Sequence, residues 1–407
     1  MSGLFQNRYV RAILLSGLFL QIGIWVRNFA ILLYVMDHTG GDPLAISMIS
    51  VAEYAPIFLF SFLAGTFVDR WRPKRTMVWC DLISAISVIA VLLTFIYGTW
   101  KAVFFVTLIS AILSQFSQPA GMKLFKLHVP AEQLQAGMSM YQTLFAIFMV
   151  LGPILGTFVF QSFGMVMAMV VTSLAFMLSA LVLFFLPADP VEDKAKQPST
   201  LWADMASGMR YVRENRVLTL IGLCFLASGL AIGLVQPLSI FLVTERLGLP
   251  KESLQWLLML QGIGMIAGGG LTMSFAKTVA PQKLLIIGML GNALALAVAG
   301  LSTHLWLTLA AQLFSGLLLP CIQIGINTLL LKHTESAFIG RVNGILIPMY
   351  TGSMVVTMSV AGMAKEHFSL VSIFVLASLL FIVGTLFIMP LARMQEGKQG
   401  ESKEQIG

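Results

Sequence analysis

Apolar residues gather in twelve runs, at 10–36, 44–67, 76–97, 101–121, 139–162, 164–186, 216–243, 252–274, 282–301, 304–331, 339–362 and 368–391. A bilayer core of ~30 Å is crossed by roughly 20 apolar residues in α-helix, so each run predicts one membrane helix. Most connections are short. The exception is 187–215, which holds Pro187, Pro190, Lys194, Lys196 and Pro198. The expected fold class is therefore all-α and integral to the membrane, with twelve transmembrane helices in two six-helix bundles related by pseudo-two-fold symmetry. The bundles cover 1–186 and 216–392, joined by a cytoplasmic linker at 187–215 and followed by a cytoplasmic tail at 393–407. The polar stretch Gly397–Gly407 reads as disordered.

The two halves carry traces of a repeat. A shift of 205 residues takes Gly65 onto Gly270, Leu127-His128 onto Lys332-His333, and Ala136 onto Arg341. It also takes Asp69 onto Ser274, so the second copy lacks the acid. Sequence identity is slight, and the matching topology carries the expectation.

Composition narrows the class further. The chain has 407 residues, 58% hydrophobic and only 11% charged, against about a quarter charged in soluble domains. Lipid must be part of its solvent. The net charge of +7 does not point to nucleic acid, because the basic residues sit in short loops between apolar runs. With the N-terminus cytoplasmic, 20 Lys and Arg fall on that side and 4 on the other (Lys101, Arg246, Lys251 and Lys365), with Arg27 left inside a run. Both termini are expected in the cytoplasm. No cleavable signal is evident, and Cys80, Cys224 and Cys321 lie far apart within apolar runs, with neither disulfide nor metal spacing.

Three ionisable residues, Arg27, Glu53 and Asp81, lie well inside runs of the first half. Such groups are costly in a membrane and usually face a cavity or a partner. Arg27 and Glu53 both come out ~13 Å below the outer surface at 1.5 Å per residue, on antiparallel neighbours. They are candidates for proton coupling, with Glu53 exchanging a proton and Arg27 tuning it; a permanent ion pair that fixes packing is the alternative. Asp81, near the cytoplasmic end of the third run, is a third coupling candidate, although a scaffold contact with nearby loop arginines is favoured for it.

From the end of the second run to the start of the third lie Gly65, Asp69, Arg70, Trp71, Arg72, Pro73, Lys74 and Arg75. The pattern Gly-x-x-x-Asp-Arg-x-x-x-Lys-Arg resembles the signature loop of the major facilitator superfamily. It departs from the usual form in having Arg72 for a second glycine and Pro73 for an arginine. Asp69-Arg70-Trp71 followed by basic residues is similar to the macrolide-efflux-like branch, as are Phe116–Leu134, Gly208–Asn215 and Gly340-Arg341-Val342. The resemblance implies a conformational latch formed by Gly65, Asp69, Arg70, Lys74 and Arg75 with Gly340 and Arg341, Asp69 meeting a helix N-terminus. Gly152, Pro153 and Gly156 in the fifth run resemble the Gly-Pro motif of drug:proton antiporters in the same superfamily, though Thr157 stands where a paired glycine is usual.

In that fold the first, fourth, seventh and tenth helices line the path. Gln21, Trp25, Gln118, Gln236, Gln323 and Asn327 become the substrate-cavity candidates, although for any one of the amides an interhelical hydrogen bond is the favoured reading. Scattered amides in an apolar wall suit bulky amphipathic solutes better than sugars or phosphates. The Gly262, Gly264, Gly268, Gly269 and Gly270 cluster follows no strand and precedes no Lys-Ser/Thr, so it reads as close helix packing rather than a phosphate loop. No enzymatic, cofactor or metal constellation is found. The expected function is export of hydrophobic or amphipathic small molecules by proton antiport with alternating access. The protein is expected to act as a monomer, in contact with lipid, in a cell membrane that the family resemblance makes bacterial. Export of an endogenous lipid, lysolipid or siderophore is the rival within transport; a non-transporting sensor or assembly protein on the same fold is the rival outside it.

Overall fold

The computed structural model describes residues 7–96, 101–187, 201–275, 278–335 and 338–404, the side chains of 61–70, 95–96, 131–132, 201–204 and 392–404 excepted. Lys194, Lys196, Pro190, Pro198 and Lys277 lie outside the described residues. The first unit spans Met1–Lys196 and the second Gln197–Gly407.

In the first unit, α1 (Arg8–His38), α2 (Pro43–Arg70), α3 (Pro73–Ile96) and α4 (Ala102–His128) follow the first four apolar runs. The next element, α5 (Ala131–Phe184), absorbs two runs in 54 residues. Gly164, at φ 74° and ψ −179°, interrupts its helical geometry and falls at the predicted boundary between the fifth and sixth runs. Only glycine enters that backbone region readily, so one residue turns a long rod into two membrane passes.

The second unit holds α6 (Leu201–Glu214), α7 (Arg216–Val235), α8 (Ser239–Phe241), α9 (Leu254–Phe275), α10 (Pro281–Leu301), α11 (Leu305–His333), α12 (Ile339–His367) and α13 (Leu370–Glu404). Among the described residues, eleven helices are long and apolar enough to cross a membrane, and α5 supplies two crossings, which gives twelve. The packing repeats between units. In the first, α1 lies on both arms of α5, α4 on α2 and α3, and α3 on α5. In the second, α7 lies on α12 and α13, α11 on α9 and α10, and α10 on α13.

Several boundaries differ from the sequence reading: α4 runs on to His128 instead of 121, and α5 starts at Ala131 instead of 139. The seventh run stops at Val235 instead of 243, because Pro237 has no N–H to continue the ladder; a three-residue helix and a π-turn at Leu242–Arg246 follow. The backbone at 397–404, expected to be disordered, continues α13 as helix, consistent with its Glu, Lys and Gln content. Part of the linker forms α6, an amphipathic helix docked on α12: Tyr211 stacks on Phe338 at 4.5 Å, and its hydroxyl accepts from Glu335 N at 3.2 Å. A methyl group on Gly208 would sit 2.9 Å from the Arg341 carbonyl oxygen, so glycine is needed for this approach.

Candidate functional site

The residues of the Asp69 segment form two helix ends rather than an extended loop. Helix α2 runs on through Asp69 and Arg70, only Trp71 and Arg72 bridge, and Pro73 opens α3, where a missing N–H costs nothing. The side chains of Gly65, Asp69 and Arg70 lie outside the described residues. Lys74 caps a distant helix. Its Nζ donates to the carbonyls of Phe184, at 2.9 Å, and Leu186, at the C-terminal end of α5. A cation at that end satisfies orphan carbonyls and complements the helix dipole. Arg72 and Arg75 are exposed. In the second unit the Arg341 guanidinium lies 5.1 Å from the Phe338 ring centroid, and Gly340 has open space where a side chain would project.

The first-unit charges come together through a residue that the sequence reading did not single out. Arg27, 3% exposed, donates from Nε and Nη2 to Asn28 Oδ1 at 3.1 and 2.8 Å. Asn28 in turn donates from Nδ2 to Glu53 Oε1 at 2.8 Å. Guanidinium and carboxylate thus share one neutral amide. Arg27 Nη1 is buried with no hydrogen-bond partner among the described residues, while Glu53 is half-buried. The signal for Asn28 was its position: an amide next to a membrane-embedded arginine has few apolar reasons to be there.

Asp81 belongs to a different network. It is 2% exposed, and its Oδ2 accepts from Ser179 Oγ at 2.6 Å, with Ser179 bonded to Ser16 Oγ at 2.9 Å. Three helices, α3, α5 and α1, are thereby tied at one point. Among the described residues, neither Arg72 nor Arg75 pairs with Asp81.

Gly152 and Gly156 let α5 press against α1. A methyl group on Gly152 would strike the Trp25 ring, and one on Gly156 would lie 2.6 Å from Phe29 Cβ and 2.7 Å from the Trp25 carbonyl oxygen. Trp25, a cavity candidate, therefore also forms the ring against which the fifth pass seats. Among the other candidates, Gln21 is buried, Gln236 caps the end of α7, and Gln118, Gln323 and Asn327 are exposed on apolar helices. The glycine cluster of α9 divides in two. Gly264 and Gly268 abut the backbone of α11 at Leu313 and Leu317, whereas Gly269 and Gly270 face open space.

Twelve apolar passes in two units with a repeated packing order, and buried charge in one of them, define a membrane transport protein rather than an enzyme. The family model for the Major Facilitator Superfamily matches residues 13–249 and 221–406, and the chain belongs to that superfamily. It is 24% identical over 380 residues to the MFS-type transporter YkuC of Bacillus subtilis, covering 90% of this chain and 87% of the relative. It is 30% identical over 247 residues to the multidrug efflux pump Tap of Mycolicibacterium fortuitum, covering 58% of this chain and 59% of the pump. The solved structure of the nucleoside transporter NupG shares the fold, with a TM-score of 0.77 at 15% identity over 94% of this chain and 99% of that one.

Proposed function

We propose that this transporter exports hydrophobic or amphipathic small molecules in exchange for protons, by alternating access, from a membrane in which both its termini are cytoplasmic. The observation that carries the reading is the Arg27–Asn28–Glu53 chain in the first unit. A carboxylate held in a membrane helix beside a buried guanidinium is energetically demanding, and proton exchange is a use that repays its placement. The more exposed end of this chain is the carboxylate, so a proton can reach Glu53 without disturbing the contacts of Arg27. A charge crossing 100 mV is worth ~2.3 kcal/mol, enough to drive accumulation ratios of practical size. Efflux activity of the similar Tap pump and the scattered amides Gln118, Gln323 and Asn327 on apolar helices support an amphipathic substrate. The basic segment around Asp69 acts as the conformational latch that the signature implies.

The test is efflux of lipophilic dyes, ethidium and rhodamine 6G, from proteoliposomes with and without a pH gradient, for the wild type and Glu53→Gln. Gradient-driven efflux is expected in the wild type and not in the variant, with both proteins folded. Unchanged gradient-driven flux in Glu53→Gln would remove the proton-exchange role.

A further inference from the structure

We propose that Asn28 is the positioning residue of this charge pair: its amide holds Glu53 near Arg27 while keeping carboxylate and guanidinium from closing on each other. The inference rests on the proton-exchange reading of Glu53.

An amide is an uncharged side chain that offers an acceptor and a donor on one rigid plane. Here both are used. Oδ1 takes two guanidinium N–H groups, and Nδ2 gives one hydrogen bond to Oε1. An arginine and a carboxylate in direct contact tend to form a two-pronged, charge-assisted pair. In a membrane interior such a pair is hard to break, and a carboxylate locked in it is a poor proton carrier. With the amide interposed, Glu53 feels the positive charge at one remove and has one hydrogen bond among the described residues. Arg27 meanwhile keeps Nη1 buried and, among the described residues, unpartnered, a sign that its orientation is set by Asn28 rather than by fullest satisfaction of its own donors.

The titratable groups on the helices around this pair are few: α5, which packs on α1, carries Glu132 near its start and Tyr141, and α2 itself carries Asp69 and Arg70 at its end. Helix α2 packs on α1 and α4. Arg27 is the charged group that α1 presents at this level, the remaining titratable residues of α1 being Arg8, Tyr9, Arg11, Tyr34, Asp37 and His38. Those of α4 are Lys123, Lys126 and His128 at its C-terminal end, with Lys101 before its start. Tyr54 neighbours Glu53 in sequence.

Two substitutions at Asn28 should act in opposite directions, which a residue needed only for packing would not produce. Asn28→Ala removes the spacer and opens room for Arg27 to close on Glu53, so that direct contact with the guanidinium replaces the lost amide bond and favours the ionised acid. Asn28→Asp is the same size, neutralises Arg27 and places a like charge beside Glu53, favouring the protonated acid. The readout is the carboxyl infrared band of purified protein in liposomes, assigned to Glu53 by its loss in Glu53→Gln, followed against pH; it requires no transported substrate. We expect the band's midpoint to fall in Asn28→Ala and to rise in Asn28→Asp, each by on the order of one pH unit. If Asn28→Ala does not fold, Asn28→Cys, small and nearly apolar, takes its place: a lowered midpoint supports the inference and an unmoved midpoint overturns it. Wild-type midpoints in both variants overturn the role of Asn28 and leave proton exchange standing. Should no titrating band be lost in Glu53→Gln, the proton reading itself falls.

Discussion

Asn215 donates from Nδ2 to the His333 carbonyl at 3.1 Å, tying the start of α7 to the end of α11 across 118 residues. Asn7 makes the same bond to the His128 carbonyl at 3.1 Å, across 121 residues, at the start of α1 and the end of α4. Each asparagine also caps its helix, Asn7 accepting from Tyr9 N and Asn215 from Val217 N and Leu218 N. The two histidines match as well, each with Nδ1 against a carbonyl one turn earlier, Leu124 or Leu329. The sequence repeat is therefore preserved as a structural device where few other residues survive.

Removing that device should cost stability in steps. Asn215→Ala loses cap and cross-link together, and a cap alone is worth about 1 kcal/mol. Asn215→Asp keeps the cap acceptor but loses the donor to His333. Thermal unfolding of detergent-solubilised protein should order the proteins wild type, Asn215→Asp, Asn215→Ala, from most to least stable. Equal melting points would show that the shared bond contributes nothing.

The twelve passes, the two groups of six and the repeat were legible because bilayer thickness imposes length and apolarity on each helix, and both are local properties of sequence. Glu53 and Arg27 were legible as isolated charges at matching depth. Asn28 was not singled out: its place beside Arg27 was its one signal, and its meaning depends on side-chain direction. Asp81 illustrates the same limit. Its depth suggested nearby arginines, while its partner proved to be Ser179, a hydroxyl that any apolar helix can carry. Lys74 was read as part of a basic loop, yet it serves a helix end 110 residues away, a contact that depends on tertiary packing.

The α9 glycines give a sharp contrast within one turn. Gly268→Ala places a methyl group against the Leu317 backbone, 2.7 Å from its carbonyl carbon, and neither partner is a side chain that can swing away. Gly269→Ala meets open space and gains helix propensity, worth about 0.5–1 kcal/mol. We expect Gly268→Ala to lower the melting temperature and the yield of folded protein, and Gly269→Ala to leave both unchanged or slightly higher. Similar behaviour of the two would contradict the close α9–α11 contact.

Lys74→Met removes two hydrogen bonds to the end of α5. The remaining methylene stem still packs, so the loss is that of charge-assisted bonds partly replaced by water, about 1–2 kcal/mol. Lys365→Met should cost less. Its ion pair with Glu245, at 2.8 Å, has one partner 47% exposed, and exposed pairs contribute about 0–1 kcal/mol. Denaturation of the two variants side by side should place Lys74→Met below Lys365→Met; the reverse order would mean that the α5 cap is unimportant.

Those two lysines also test orientation. Lys74 joins the basic residues counted as cytoplasmic, and Lys365 is one of the few on the other side. The protein's own cysteines are buried or half-buried within helices, so single cysteines placed at 74 and 365 can be labelled selectively. In intact cells a membrane-impermeant maleimide should react at 365 and not at 74, and in inverted vesicles the pattern should reverse. The distinction matters for more than topology: if 74 labels from outside, Glu53 lies toward the cytoplasm, and protons flowing inward down their gradient would meet it from the opposite side of the transport cycle. Reaction at both positions from one face would break the twelve-pass arrangement, because 74 and 365 are separated by an odd number of passes in it.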